Sequence, residues 1–156
     1  MKKSTLLLLA GALLILASCR KEVTQVSEVD QAFGTVYDIK ASSWSTSDNG
    51  LSYSATFDVP ELSDAIFDHG AVIVYLSFVD NVYEALPEVY DGIAYGTYHG
   101  QGTVSVDMQA VDGGTITPPD GEIYAKVVLI DATALSLHPG INLKDYNTVR
   151  ETFHLN

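Results

Sequence analysis

The sequence predicts an all-β protein, an antiparallel β-sandwich with a short helix at its C-terminus. Residues 51–59 alternate cleanly, with Leu51, Tyr53, Ala55, Phe57 and Val59 against Ser52, Ser54, Thr56 and Asp58. Residues 103–110 repeat the pattern, Val104, Val106, Met108 and Ala110 against Thr103, Ser105, Asp107 and Gln109. A period of two describes an antiparallel strand with one dry face and one wet face. Residues 71–79 and 123–130 are instead apolar on both faces, short and rich in β-branched side chains, as central strands are. Between these runs the chain is punctuated by Ser47-Asp48-Asn49-Gly50, Asp80-Asn81, Asp91-Gly92, Gly100-Gln101-Gly102, Asp112-Gly113-Gly114 and Pro118-Pro119-Asp120-Gly121. Such residues supply the positive or fixed φ that tight turns demand, and at this spacing they indicate a sandwich or barrel.

The remaining elements follow in order. Weaker strand patterns occupy residues 33–40, 82–86 and 93–98. After Pro60, Leu62, Ala65 and Ile66 fall at helical spacing and run out at His69-Gly70, predicting one or two helical turns. The last element is helical: Leu143, Tyr146, Val149 and Phe153 recur at three- and four-residue steps. Asn142 offers an N-cap there, with Asp145 three residues on, where a carboxylate favours a helix N-terminus. This helix is expected to pack on a sheet face or cover an edge. An immunoglobulin-like or similar sandwich spanning residues 33–156 fits these elements, and a small closed β-barrel is the alternative.

Composition sets outer limits on function. The 156 residues carry 8 Lys+Arg against 20 Asp+Glu, a net charge of −12, with one cysteine. That balance argues against a nucleic-acid partner, which needs a basic face. One cysteine excludes a disulfide framework and a cysteine-rich zinc site. At 47% hydrophobic and 18% charged, the chain is no disordered acidic tail.

The N-terminus is unlike the rest. Lys2 and Lys3 precede twelve apolar residues, 6–17. That run is shorter than the ~20 residues a membrane-spanning helix needs and has the form of a secretory signal. It ends in Leu16-Ala17-Ser18-Cys19, which resembles the lipobox of bacterial lipoproteins at all four positions. The resemblance implies that residues 1–18 are a lipoprotein signal peptide. It further implies that Cys19 becomes the first mature residue, lipidated on sulfur and acylated on its new amino group. Residues 19–32 then read as a polar tether, with Val23, Val26 and Val29 at threefold spacing. Removing residues 1–18 takes away two bases and no acid, so the mature charge is −14. Arg20 after the cysteine is not the aspartate that favours inner-membrane retention, so an outer-membrane lipoprotein is expected by analogy. Arg20-Lys21-Glu22 is a poor match to the acidic surface-export signal of Bacteroidota, and the leaflet stays open.

A second resemblance rests on the order of pieces from Gly34 onward. Thr35-Val36-Tyr37 is followed by Trp44, Val72-Ile73-Val74-Tyr75-Leu76 and Tyr83-Glu84-Ala85-Leu86-Pro87. Then come Tyr124-Ala125-Lys126-Val127-Val128-Leu129-Ile130 and Leu143-Lys144-Asp145-Tyr146-Asn147-Thr148-Val149. This is similar to a group of uncharacterised Bacteroidota lipoproteins, some with collagen-like glycine repeats between lipid and domain. No such repeat stands here. The resemblance implies location and fold, and brings no catalytic residues.

Residues that could carry chemistry are few. There is no His-Glu-x-x-His, phosphate-binding loop, Gly-x-Ser-x-Gly elbow or twelve-residue calcium loop, and no cofactor is implied. Gly100-Gln101-Gly102 holds only part of a dinucleotide fingerprint and reads as a turn. His69, His99, His138 and His154 are scattered, and Asp64 and Asp68 read as an exposed acidic helix face. Asp112-Gly113 and Asp120-Gly121 could offer oxygen ligands to calcium. The most suggestive stretch holds Tyr83, Tyr90, Tyr95, Tyr98 and His99 among Glu84, Glu88 and Asp91. Tyrosine rings stack on sugar faces or peptide groups while carboxylates accept hydrogen bonds, although tyrosine is also a common strand residue. The expectation is a non-enzymatic, lipid-anchored envelope module. The alternative is a glycan- or peptide-binding accessory protein using Tyr83, Tyr90, Tyr95 and Tyr98.

Overall fold

In the computed structural model, residues 32–79 and 81–155 are described, and their strands pair into two antiparallel four-stranded sheets. Cys19, the expected signal peptide and the expected tether up to residue 31 lie outside the described residues. Sheet one has the order β1 (Ala32–Ile39), β8 (Ile123–Ile130), β3 (Ala71–Val79), β4 (Val82–Ala85). Sheet two has the order β2 (Ser52–Asp58), β7 (Thr103–Ala110), β6 (Ile93–Gly100), β5 (Glu88–Tyr90). The sheets stay separate, as a sandwich requires, and the barrel alternative is set aside. At one side the chain crosses between them from β4 to β5, at the other from β1 to β2, where Ser45 bridges Ser54.

Register explains the sequence pattern. In sheet two, Ala55 opposes Val106 and Tyr95 opposes Met108, all facing inward, while Ser54 opposes Asp107 and Tyr98 opposes Ser105 on the outer face, where Ser105 is buried and shares a hydrogen bond with the Thr56 hydroxyl. Leu51, counted from the sequence with the dry face, lies just before β2 and is exposed. β8 sits between β1 and β3, and β3 between β8 and β4. Their even-numbered and odd-numbered residues therefore both need cover. Val74, Leu76, Ala125, Val127 and Leu129 fill the inter-sheet core. Tyr75, Val128 and Ile130 point the other way, into a second core closed by the C-terminal segment.

Three short α-helices complete the described chain. α1 (Asp64–His69) is capped by Ser63, whose Oγ accepts the Ile66 N–H, and ends against Gly70. A Cβ at Gly70 would stand 2.5 Å from the Ile130 carbonyl oxygen, so only glycine lets β3 begin so close to β8. α2 (Ala132–Leu137) follows β8 directly, capped by Asp131, whose Oδ1 accepts the Ala134 N–H at 2.8 Å. The sequence pattern does not announce it. α3 (Tyr146–Thr152) is the anticipated C-terminal helix and covers a face of sheet one, not an edge. Its cap is Asp145, which accepts from the Asn147 and Thr148 N–H groups and the Thr148 hydroxyl. Asn142, the cap expected from sequence, instead accepts the Lys144 N–H at 3.2 Å.

A cation is buried beside the second core. Lys126, on the outer row of β8, is 8% exposed. Its Nζ donates to the Tyr146 hydroxyl and lies 4.6 Å from the Tyr146 ring centroid and 5.0 Å from that of Tyr83. The Tyr75 hydroxyl donates to the Leu143 carbonyl at 2.7 Å, and its ring meets Tyr146 edge-on at 5.2 Å. Burial, with Asp145 and Tyr146 adding to it, pushes the Tyr75 hydroxyl pKa up. Together these contacts clamp α3 onto β8, β3 and β4.

Two expected outcomes follow from this arrangement. Lys126→Met keeps the length of the side chain and removes a buried charge, so stability should change by no more than about 1 kcal/mol. Tyr146→Phe leaves the ammonium in place without its hydroxyl acceptor and should cost about 1–3 kcal/mol. The double variant should regain most of that loss, as urea unfolding of all four proteins would show. In the loop before β2, Asp48 accepts from the Ser52 hydroxyl (2.6 Å) and N–H, the Thr46 hydroxyl and the Leu51 N–H. These bonds, the Ser52 hydroxyl foremost, lower its pKa from 3.8 to about 2. A depressed carboxylate stabilises in full above its unfolded pKa, and that contribution fades between pH 3.8 and about 2. The melting temperature of Asp48→Asn should accordingly fall less steeply across that interval than that of the parent protein.

Candidate functional site

The side of the sandwich where the chain leaves β4 for β5 carries a groove. β4 ends at Ala85, the Leu86 N–H bonds the Val74 carbonyl at 2.9 Å, and Pro87 delivers the chain to sheet two. Both strands are short edge strands, so the two sheets are not covered there by further strands. Phe78 continues the inward row of Val72, Val74 and Leu76 on β3, and Tyr90 comes from β5 opposite. Their rings stack at 4.4 Å with an interplanar angle of 6°, and Tyr95 leans on Phe78 at 4.9 Å. The stack joins the inward faces of both sheets at their shared rim, yet Tyr90 remains 48% exposed.

Three adjoining hollows make up the groove. One of about 210 Å³ is lined by Phe78, Val79, Val82, Glu84, Glu88 and Tyr90. A second, about 380 Å³, shares Phe78 and Tyr90 and extends past Asp91 and Tyr95 to Pro119 and Glu122. The third, about 450 Å³, shares Val82, Glu84 and Glu88 and reaches Tyr83, Lys144, Asp145 and Tyr146. Aromatic faces thus alternate with carboxylates along the side of the molecule. Burial raises the Tyr95 hydroxyl pKa, and the charge of Asp91 raises it further, so this phenol stays protonated. At the other end, the Thr148 hydroxyl leads the hydrogen bonds that hold Asp145 below its usual pKa.

Of the tyrosines singled out from sequence, Tyr83 and Tyr90 line the groove. Tyr83 also packs on Tyr146 at 5.0 Å. Tyr95 contributes only a wall, because it is 4% exposed and belongs to the inter-sheet core. Tyr98 stands apart from the groove, on the outer face of sheet two, 54% exposed, with its hydroxyl 3.4 Å from the Ser54 Oγ. Tyr95 and Tyr98 are three residues apart on one strand, and an odd separation places side chains on opposite faces. The four tyrosines therefore do not form one platform. His99 meets Phe67 of α1, away from the groove. The groove residues missed from sequence are Phe78, Pro119, Glu122, Lys144 and Tyr146. Only Phe78 left a trace, an aromatic ring in the inward parity at the end of a central strand.

The described lining residues include no histidine, cysteine or serine. Among the described residues no group of three or more His, Cys, Asp or Glu could hold a metal ion, the turns at Asp112 and Asp120 included. The Asp112 carboxylate instead accepts the Gly114 N–H at 2.9 Å, an ordinary turn bond. What the arrangement offers is ring faces and ionised acceptors set along an open edge. Compared with protein-family models, curated proteins and solved structures, the chain finds no match.

Proposed function

We propose that this is a lipid-anchored protein of the bacterial envelope whose β-sandwich acts as a non-enzymatic binding module. One observation carries the binding half of this reading: the partly exposed Phe78–Tyr90 stack, set in a groove that alternates aromatic rings with carboxylates. Stacked rings at a rim supply contact area with little entropy to lose, while carboxylates select orientation by hydrogen bonding. The anchoring half rests on Leu16-Ala17-Ser18-Cys19 and the basic, then apolar, run before it, with the outer membrane as the proposed location. Two acyl signals at about 0.8 kcal/mol per buried methylene hold a protein on a bilayer without help from its body. A mature charge of −14 suits that division, since it keeps the domain soluble and off anionic lipid. The partner is a glycan or a polypeptide, and nothing in the composition favours nucleic acid.

Both halves can be tested in cells. Cys19→Ser should leave the precursor uncleaved by the lipoprotein signal peptidase and unlabelled by radioactive palmitate. Persistent labelling would refute the anchor. A photo-crosslinking residue at position 90 should yield a discrete adduct with an envelope component, and the same residue at position 98 should not. Equal adducts from both positions, or none from either, would remove the groove from consideration.

A further inference from the structure

Building on the binding reading, we infer that the two hollows beside Tyr90 receive a basic segment of an extended polypeptide, with a lysine or arginine side chain seated against the Phe78–Tyr90 stack. Glu84 and Glu88 flank the stack on one side and Asp91 and Glu122 on the other. The described residues lining these two hollows include no lysine, arginine or histidine. Nor do the other described bases of the domain reach them. Lys126 is buried against Tyr146 and Tyr83, and Arg150 lies 3.9 Å from Glu151. Lys144 borders only the third hollow, and Lys40 follows β1 at the opposite edge of sheet one.

The chemistry discriminates between occupants. A neutral sugar can stack on Tyr90, but it would shield four carboxylates from water and return only neutral hydrogen bonds. A cation gains twice. The ring face carries a negative quadrupole that attracts it, and carboxylates give charge-assisted bonds, bidentate when the ligand is a guanidinium. An anionic ligand is repelled at every position in the two hollows. The surrounding net charge steers a basic chain toward the domain before contact. Shape favours a polymer over a single amine. The hollows share walls in sequence, and β4 and β5, which they follow, are both edge strands. An extended peptide can lie along such an edge and present alternate side chains to successive hollows.

The test is a titration of the full-length protein in mild detergent with the peptide Ser-Arg-Ser-Arg-Ser-Arg, followed by calorimetry and by amide shifts. Parallel titrations use its citrulline counterpart, which has the same shape without charge, and neutral cellohexaose. The arginine peptide should bind with shifts centred on Phe78, Glu88 and Tyr90. The citrulline peptide should bind at least about 10-fold more weakly. Glu84→Gln/Glu88→Gln should weaken the arginine peptide by a similar factor. Asp64→Asn/Asp68→Asn removes the same charge from α1, near the other end of β3 and ~26 Å away along the strand. It should change affinity by less than about twofold. The inference is overturned by equal binding of the citrulline peptide, or by an equal loss in the α1 variant, which would mean attraction to net charge alone. It is overturned too if cellohexaose shifts these amides and the arginine peptide does not, and in that case the groove stands as a binding site of another class. If neither probe shifts them and position 90 yields no crosslink, the binding reading falls with it.

Discussion

β3 and β8 are apolar on both faces, and the outer face of sheet one is therefore a surface that water must not reach. Tyr75, Val128 and Ile130 would otherwise form an exposed patch beside Ala71, Ile73 and Ala85. At roughly 25 cal/mol per Å² of apolar area removed from water, covering it is among the larger favourable terms open to a domain of this size. The chain after β8 meets the requirement by turning back at once through α2 and laying α3 over the face, with Val149 and Phe153 pointing down. Lys126 sits in the middle of that interface. The burial of its ammonium is tolerable because a hydroxyl and two ring faces surround it.

The groove is a consequence of the same economy of cover. Sheet one is closed above by the C-terminal segment and below by sheet two, which leaves the sides. Toward β1 and β2, the bridge from Ser45 to Ser54 and the buried Trp44 draw the connection inward. Toward β4 and β5, two short strands and Pro87 leave a gap that Phe78 and Tyr90 fill only partly. The helix that covers the second core also brings Tyr146 beside Tyr83, extending the groove beyond the sandwich proper. Cover of the core and construction of the groove thus share residues.

Much of the fold is legible in the sequence because period two and period 3.6 are local properties. The strand limits of β3, β7 and β8 coincide with the patterns at 71–79, 103–110 and 123–130. β5 is not legible, because three residues cannot display a period. α2 is hidden because its apolar run continues that of β8, with only Asp131 to mark a cap. The cap of α3 moves from Asn142 to Asp145 because the chain stays non-helical until Tyr75 has taken the Leu143 carbonyl. For the candidate site, the tyrosine-rich stretch supplies two of the groove's rings, Tyr83 and Tyr90. Parity along β6 is itself a sequence property, and it suffices to separate Tyr95 from Tyr98. Phe78, Glu122 and Tyr146 cannot be found that way, since pairing between distant segments is what brings them to one edge.

The C-terminal helix is, on these grounds, an integral wall of the fold and not an appendage. Native-state amide hydrogen exchange measures this most directly, because it assigns an opening free energy to each element. The Val149 and Phe153 amides of the α3 segment should open only with global unfolding, at the same free energy as Val127 and Leu129 of β8. Exchange there that is orders of magnitude faster than in β8, with β8 protection intact, would contradict it.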